Sequence, residues 1–241
     1  MSLFNKMNET RARLGAGSGV YTSYFQDDGK YALLAPLIKV PFIGSETSEV
    51  EIKVASSDEI TKLGGIKTYS ASEADVYMHR DCARLLNQVD GKTIPVLFMA
   101  GDFSAQKCDC LVTYKKNELE QDQPWQGSVK FTPVTAPVDV SNAFPLVKPT
   151  AHFTSNIDDT VWFDKDTKSY TLEIETKYEN TTITATPEDA NIVTAAIVSE
   201  GKLTLTPKAV GSTLVVLKTA KEGYASWEAT ILVIVESVAT S

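Results

Sequence analysis

The chain has 241 residues, of which 43% are hydrophobic and 22% are charged, and its formal net charge is −8. This composition is typical of a globular protein and excludes a disordered chain, and the length allows one large domain or two ordinary ones. The acidic balance argues against a protein that grips nucleic acid, because such proteins neutralise phosphates with clustered Lys and Arg.

The two ends of the chain predict neither a secretory signal nor a membrane span. MSLFNKMNETRARLG, at the start, contains no continuous apolar run. The longest late apolar run, residues 231–235, is far too short to cross a bilayer. Three cysteines cannot all pair within the chain, and nothing marks an oxidising compartment. We therefore expect a soluble protein made in a cytoplasm.

The first part of the chain predicts mostly strands. GVYTSYF and YALLAPLIKV flank DDGK, which predicts a hairpin with residues 28–29 in its turn. EVEIKVA alternates apolar and charged residues and predicts a strand. The polar residues 56–62 and the Gly-Gly pair at 64–65 predict a loop, and YSASEADVYM predicts the next strand.

A helix is predicted at DCARLLNQVDG, where Asp81 can cap the start and Gly91 can end it. The segments TIPVLFMA, AQKCDCLVTYK and WQGSVKFTP predict three further strands. The first part is therefore predicted to be a mixed β-sheet domain with one short helix. The apolar stripe of that helix, at helical spacing, consists of Cys82, Leu85, Leu86 and Val89.

Residues 132–149, TPVTAPVDVSNAFPLVKP, contain four prolines and predict an extended linker. After them every candidate segment is a strand, which predicts a β-sandwich: YTLEIET, TTITATP, ANIVTAAIV, GKLTLTP, STLVVLKTA and WEATILVIVE. We therefore divide the chain into a domain at 1–140 that begins with an arm at about 1–16, a linker at 141–148 and a sandwich domain at 149–241.

The cysteine pair in AQKCDCLVTYK allows a metal site or a plain strand. Alternation places Cys108 and Cys110 on one face, about 6.5 Å apart along the strand, whereas a disulfide needs Cβ atoms about 4 Å apart, so we do not expect a disulfide between them. Zinc needs about four ligands, and His79 and Cys82 could complete the set if the helix lay over the strand. Because CxC is not the usual CxxC spacing and a free Cys often packs in a core, we favour a buried strand face.

Asp164, Asp166 and Glu175 have three of the EF-hand offsets, but Lys168 and Ser169 occupy positions that need a ligand and a glycine. We expect a hairpin turn there rather than a calcium site.

Other motifs of catalysis or cofactor binding are lacking in the sequence. GAGSG, residues 15–19, does not match GxGxxG and predicts a flexible hinge. His79 and His152 are the only histidines, and there is neither a GxSxG motif nor a P-loop. We therefore assign no catalytic, cofactor-binding or metal residue, and we expect that the protein is not an enzyme and needs no cofactor.

Three stretches within residues 15–137 form a pattern together with the order of the predicted elements: YMHRDCARLLNQVDGKTIPVLFM, CDCLVTYKKNELEQDQPWQGSVKFTPVTAP and IKVPFIGSETSEVEIKV. In this combination the region resembles the major tail tube proteins of long-tailed, non-contractile bacteriophages (siphophages). One departure is the polar loop at residues 55–68, which is short for the inter-ring loop of this family.

In residues 147–241, the predicted strands run from TTITATP to ILVIV, with a turn at residues 209–212. In this strand order and in the position of this turn, the region is similar to bacterial immunoglobulin-like domains of group 2. Some phage tail tube proteins carry such a domain at the C-terminus. The two regions in this order therefore indicate a tail tube protein more strongly than either region alone.

Together these resemblances imply a structural virion protein that assembles as stacked hexameric rings into the phage tail tube. They imply an Ig-like domain on the exterior with weak host-surface contact, and tape-measure and tail-terminator proteins as partners. Double-stranded DNA would pass through the tube during ejection without specific binding, which an acidic chain suits. The location implied is the virion tail, after assembly in the bacterial host cytoplasm.

Two other classes of function stay open. Group 2 immunoglobulin-like domains also occur in bacterial surface adhesion or carbohydrate-binding modules, where Trp162, Tyr170, Tyr224 and Trp227 could form an aromatic sugar platform, although buried packing is the commoner role of such side chains. A metal-dependent enzyme built on the cysteines is the third and most remote class.

Overall fold

The computed structural model describes residues 18–35, 37–53, 60–117, 125–164, 166–199 and 201–237. Over these residues the fold is mainly β, as predicted, with sixteen strands and one α-helix, and none of their helices has the length and apolarity to cross a membrane. Residues 14–78 and 85–144 form an N-terminal unit, and a C-terminal unit includes residues 79–84 and the chain from 145 onward. The predicted arm at 1–16 and most of the hinge at 15–19 lie outside the described residues.

Within the described residues, the N-terminal unit contains nine strands. The predicted hairpin at residues 28–29 is confirmed, because β1 and β2 are antiparallel neighbours, and the strands predicted at EVEIKVA, YSASEADVYM and TIPVLFMA are also present. The strands are β1 (Gly19–Thr22), β2 (Ala32–Ala35), β3 (Ser45–Lys53), β4 (Ile60–Tyr69), β5 (Ser72–Tyr77), β6 (Lys92–Met99), β7 (Ala105–Lys116), β8 (Gln126–Pro133) and β9 (Val138–Val140).

Seven of these strands form one sheet in the order β2-β1-β6-β7-β8-β5, with β9 paired to β7. The chain just after β2 returns to the opposite end of this sheet, where Leu37 bridges Val76 and the Ile38 N–H donates to the Asp75 carbonyl at 2.9 Å. The sheet is therefore nearly closed on itself. Apolar side chains fill its interior, and the rings of Phe98 and Phe131 meet edge to face at 5.3 Å.

The predicted helix is present as α1 (Arg80–Val89). Leu86 and Val89 are fully buried, whereas Leu85 is only half-buried. Gly91 ends the helix as predicted, with a left-handed φ of 70° that favours glycine. The cap differs from the prediction. His79 caps the helix: its carbonyl accepts the Ala83 N–H at 2.9 Å, and its Nδ1, when it carries no proton, accepts the Asp81 N–H at 3.3 Å.

The loop predicted at residues 56–62 and 64–65 is wrong from residue 60 onward, because β4 begins at Ile60 and runs to Tyr69. Residues 54–59 lie outside the described part of the chain. The Gly-Gly pair lies where the register between β3 and β4 shifts, between the pairs Thr47↔Lys67 and Glu49↔Gly64. Glycine inside a strand commonly marks a β-bulge, so this pair bends a strand rather than ending it.

The wide linker predicted at residues 132–149 is also partly wrong. Pro133 ends β8, the strand β9 pairs with the start of β7, and a short 3-10 helix spans Phe144–Leu146. Prolines flank β9 but do not interrupt it, so its backbone donors stay free for pairing. The narrower linker at 141–148 and the division around it stay predictions.

The C-terminal unit holds two sheets from seven strands, as a β-sandwich requires. One sheet has the order β10-β16-β15-β12 and the other β11-β14-β13. Fully buried side chains such as Phe163, Leu203, Leu217 and Ile231 form its core. The strands are β10 (Thr160–Phe163), β11 (Tyr170–Glu173), β12 (Thr182–Pro187), β13 (Val193–Ser199), β14 (Lys202–Pro207), β15 (Gly211–Ala220) and β16 (Glu228–Val235).

Candidate assembly surface

The two strands β3 and β4 form a sheet of their own. They pair antiparallel from Ser45↔Tyr69 to Lys53↔Ile60. Within the described ranges neither strand has a second strand beside it. Nine and ten residues long, they present two backbone edges. Such edges are templates for pairing with another chain, because their outward N–H and C=O groups have no partner within the sheet.

At the open end of this hairpin, the side chains of residues 45–48 and 66–68 are exposed. All of them are polar except Ile66. Ile66 is 78% exposed. Two hydroxyls bond across the strands: Ser48 Oγ donates to the Ile66 carbonyl and Thr68 Oγ1 donates to the Glu46 carbonyl, each at 3.3 Å. These bonds restrain the two strands at the position of Ile66.

The ends of the larger sheet are better protected. At one end, residues 37–38 cover part of β5. At the other end, β2 is only four residues long, and short edge strands are one way in which proteins avoid edge-to-edge pairing. In the N-terminal unit the long open edges are therefore those of β3 and β4.

Two aromatic pairs with exposed members lie elsewhere on the N-terminal unit. In the β1–β2 loop, Tyr24 and Phe25 meet edge to face at 5.0 Å, and Lys92 Nζ donates to the Tyr24 hydroxyl at 2.9 Å. Next to the β6–β7 turn, the Phe103 and Phe144 rings meet at 5.2 Å. Phe103 has a left-handed φ of 66°, which is uncommon for a bulky residue. These pairs add apolar contact area beyond the hairpin.

Cys108 and Cys110 lie on the buried face of β7, as alternation predicts, and their sulfurs are 3.3 Å apart. Cys82 is buried in α1, where burial, and then the charge of Asp81, raise the pKa of its thiol to about 12. No three His, Cys, Asp or Glu side chains of the described ranges form a group that could hold a metal ion. This includes His79, Cys82, Cys108 and Cys110, the four residues considered above as an alternative zinc site.

His79 lies between two carboxylates of the C-terminal unit. Its Nδ1 is 3.4 Å from Asp81 Oδ2, and its Nε2 is 3.0 Å from Asp159 Oδ1. Burial lowers the pKa of His79, but hydrogen bonds and charges from Asp81 and then Asp159 more than offset this, so the pKa is raised above its ordinary value. Asp81 also accepts a hydrogen bond from Thr230 Oγ1 at 2.6 Å. The sequence did not indicate this cluster, because its members come from distant segments.

Two of the calcium candidates, Asp164 and Asp166, lie in the turn between β10 and β11, whereas Glu175 follows β11. Asp164 Oδ1 accepts the N–H groups of Asp166 and Thr167 and the Thr167 hydroxyl, and these bonds lower the pKa of Asp164. The hairpin predicted here is wrong, because the flanking strands β10 and β11 belong to different sheets. The turn therefore links the two layers of the sandwich.

The four candidate sugar-binding aromatics do not share one surface environment. Trp162 is 60% exposed on β10. Tyr170 and Trp227 pack against the core of the sandwich, and Tyr224 packs against Tyr178 with ring centroids 4.5 Å apart. Buried packing is therefore the role of at least two of the four, and Trp162 is the one among them that is mainly exposed.

Comparison with known proteins returned no matching family model and no matching curated protein. Among solved structures, one described as "Tail of empty GTA particle computed with helical refinement, C6 symmetry" has a TM-score of 0.42 and 13% identity, covering 51% of this chain and 95% of that one. "Virion of native gene transfer agent (GTA) particle" has 0.41 and 12%, covering 52% and 98%. "Crystal structure of the S-layer protein SbsC domains 4 and 5" has 0.26 and 15%, covering 52% and 77%. Each of these TM-scores is below 0.5, so these likenesses carry no conclusion about function.

Proposed function

We propose that this chain is a structural virion protein, a tail tube subunit that self-assembles as stacked hexameric rings into the conduit for phage DNA. Tape-measure and tail-terminator proteins are its partners, and an Ig-like domain decorates the exterior, where it makes weak host-surface contacts. The protein is not an enzyme and needs no cofactor. It is made in the bacterial host cytoplasm and ends in the virion. The resemblance of both halves of the sequence motivates this proposal.

The observation that carries it is the β3–β4 hairpin. Its two strands are long and pair only with each other within the described ranges. Open edges of this length are hazardous for a monomer, and a closed ring removes them by pairing each edge with the next subunit. A subunit with one edge on each side supports head-to-tail contacts, which close into rings when the rotation allows it.

The charge of the chain supports a conduit rather than a DNA-binding protein. A formal net charge of −8 repels the phosphate backbone, and a wall that attracted phosphates would hold the genome through counterion release. We therefore expect DNA to pass the assembled protein without specific binding.

The test is negative-stain electron microscopy of the purified full chain over a series of concentrations. We expect rings and then filaments with a central channel as the concentration rises. Analytical ultracentrifugation of the same samples reports whether the smallest stable assembly contains six subunits. A chain that stays monomeric at every concentration refutes the assembly proposal.

A matched pair of variants tests whether the β3–β4 hairpin forms the contact between subunits. Ile66→Asp changes an exposed side chain on the hairpin, and Val198→Asp changes one that is 67% exposed on β13 of the C-terminal unit. Both variants are expected to melt like the parent, because exposed substitutions usually change stability by no more than about 0.5 kcal/mol. We expect Ile66→Asp to lose most of the filament yield and Val198→Asp to keep it. If Ile66→Asp assembles normally, the hairpin is not the contact.

A surface adhesion or carbohydrate-binding module is the second candidate, favoured by the exposed Trp162 on β10. An indole face in solvent is a common platform for a sugar ring. Monomers in the microscope, together with glycan binding that Trp162→Ala abolishes, would favour this function over the tube.

A further inference from the structure

Cys108 and Cys110 form a close thiol pair that tube assembly does not use. Both side chains are buried, and their Sγ atoms are 3.3 Å apart. This separation is about half of the roughly 6.5 Å between same-face positions on a strand. The side chains therefore lean toward each other, within reach of a hydrogen bond between the sulfurs.

The backbone around the pair marks a change of partners along β7. Residues 105–107 pair with β9, and residues 110–116 pair with β8. Asp109, between the cysteines, donates its N–H to Thr135 Oγ1 and accepts the Val134 N–H, each at 2.8 Å. The two thiols thus flank the position at which β7 exchanges one neighbour for the other.

The hydrogen bond between the sulfurs gives the two thiols different pKa values. The bond from Cys110 lowers the pKa of Cys108, and the same bond, followed by burial, raises the pKa of Cys110. Cys82 is different, because its thiol lies alone in α1 with a pKa raised to about 12. The thiolate is the species that reacts with oxidants, and a neighbouring thiol that donates a hydrogen bond stabilises it, so this pair forms a thiolate more readily than Cys82 does.

We propose that Cys108 and Cys110 are an oxidation site, a reversible dithiol pair that peroxide converts into a disulfide within β7. The Cys108 thiolate attacks one peroxide oxygen, the O–O bond breaks, and the departing oxygen leaves as water after taking up a proton. The Cys110 sulfur then attacks the Cys108 sulfenic acid, the S–O bond breaks, and a second water leaves. Overall, two thiols and one hydrogen peroxide give one disulfide and two waters.

A disulfide between Cys108 and Cys110 would shorten β7 locally. Cβ atoms of bridged cysteines lie about 4 Å apart, which is closer than an extended strand places same-face residues. Oxidation therefore pulls on β7 at Asp109, next to its junctions with β8 and β9, and the resulting strain makes the disulfide easy to reduce.

The test treats the reduced, desalted full chain with one equivalent of hydrogen peroxide, quenches by acid, and counts thiols after unfolding. We expect the free-thiol count to fall from the three cysteines of the reduced chain to one. The intact mass should fall by two hydrogen atoms, and peptide mapping should join Cys108 to Cys110. Excess dithiothreitol should restore all three thiols.

Single variants identify the pair. Cys82→Ser should still lose two hydrogen atoms on oxidation. Cys108→Ser and Cys110→Ser should not, and Cys110→Ser should gain oxygen at Cys108 instead. Should a serine variant fail to fold, the peptide map of the parent decides alone. The proposal is overturned if the treated parent keeps three thiols, if it gains oxygen without losing hydrogen, or if the map joins Cys82 to either of the others.

Discussion

Gly201 lies directly against the backbone of Ile174. The Ile174 N–H donates to the Gly201 carbonyl at 2.5 Å, and a Cβ added to Gly201 would lie 2.4 Å from the Ile174 carbonyl oxygen. Gly201 also has a left-handed φ of 77°. Both features require glycine at this turn between β13 and β14, because the obstructing atom belongs to the backbone and cannot rotate away.

Gly201→Ala should therefore destabilise the C-terminal unit by roughly 2–5 kcal/mol, the sum of backbone strain and overpacking. Gly223 is the matched control, because its φ is 79° but nothing lies within 4 Å of an added Cβ. Gly223→Ala should cost only about 1–2 kcal/mol. Urea unfolding of the full chain measures both, and equal losses would show that the close approach to Ile174 is not costly.

Leu86→Ala should destabilise the N-terminal unit by about 2–5 kcal/mol, because this fully buried side chain leaves a cavity. Leu85→Ala, one position earlier and only half-buried, should cost clearly less. Thermal melting beside filament yield measures the effect, and Leu86→Ala should lower both. If Leu86→Ala melts like the parent, α1 does not pack as described.

Reversal of Lys92 should separate assembly from folding. Lys92→Glu removes an exposed hydrogen bond to the Tyr24 hydroxyl, and Lys116→Glu removes a contact with the Trp125 ring at 5.9 Å. Either change should alter stability by no more than about 1 kcal/mol. A ring repeats each contact at every interface, so a reversal at a subunit contact lowers filament yield, whereas the melting temperature should stay unchanged for either variant. Large losses of melting temperature would instead show that these lysines support the fold.

His79 should make the C-terminal unit more stable in mild acid. Its pKa in the folded chain is raised by Asp81 and Asp159, so its contribution is complete below the unfolded pKa of about 6.5 and is lost as pH rises through the folded pKa. We expect the parent to gain more stability than His79→Gln between about pH 8 and about pH 5.5. Urea unfolding of both chains at each pH measures this, and parallel pH profiles would contradict it.

The sequence determined most of the local structure. Alternation along AQKCDCLVTYK fixed the face of Cys108 and Cys110, and helical spacing placed Leu86 and Val89 in the core. These patterns follow from the periods of strands and helices within one segment, so they predict the buried face without knowledge of the segments that pack against it. Composition and patterning also sufficed for the mainly β fold class.

Only the tertiary structure decided which strands pair and which groups meet. The Gly-Gly pair at 64–65 resembled a loop because its strand character depends on pairing with β3. Asp159 reaches His79 from eighty residues away, and the hydrogen bond between Cys108 and Cys110 requires side chains that lean toward each other. Long-range pairing and side-chain direction depend on contacts between segments that are distant in the chain, and the spacing of residues within one segment does not encode them.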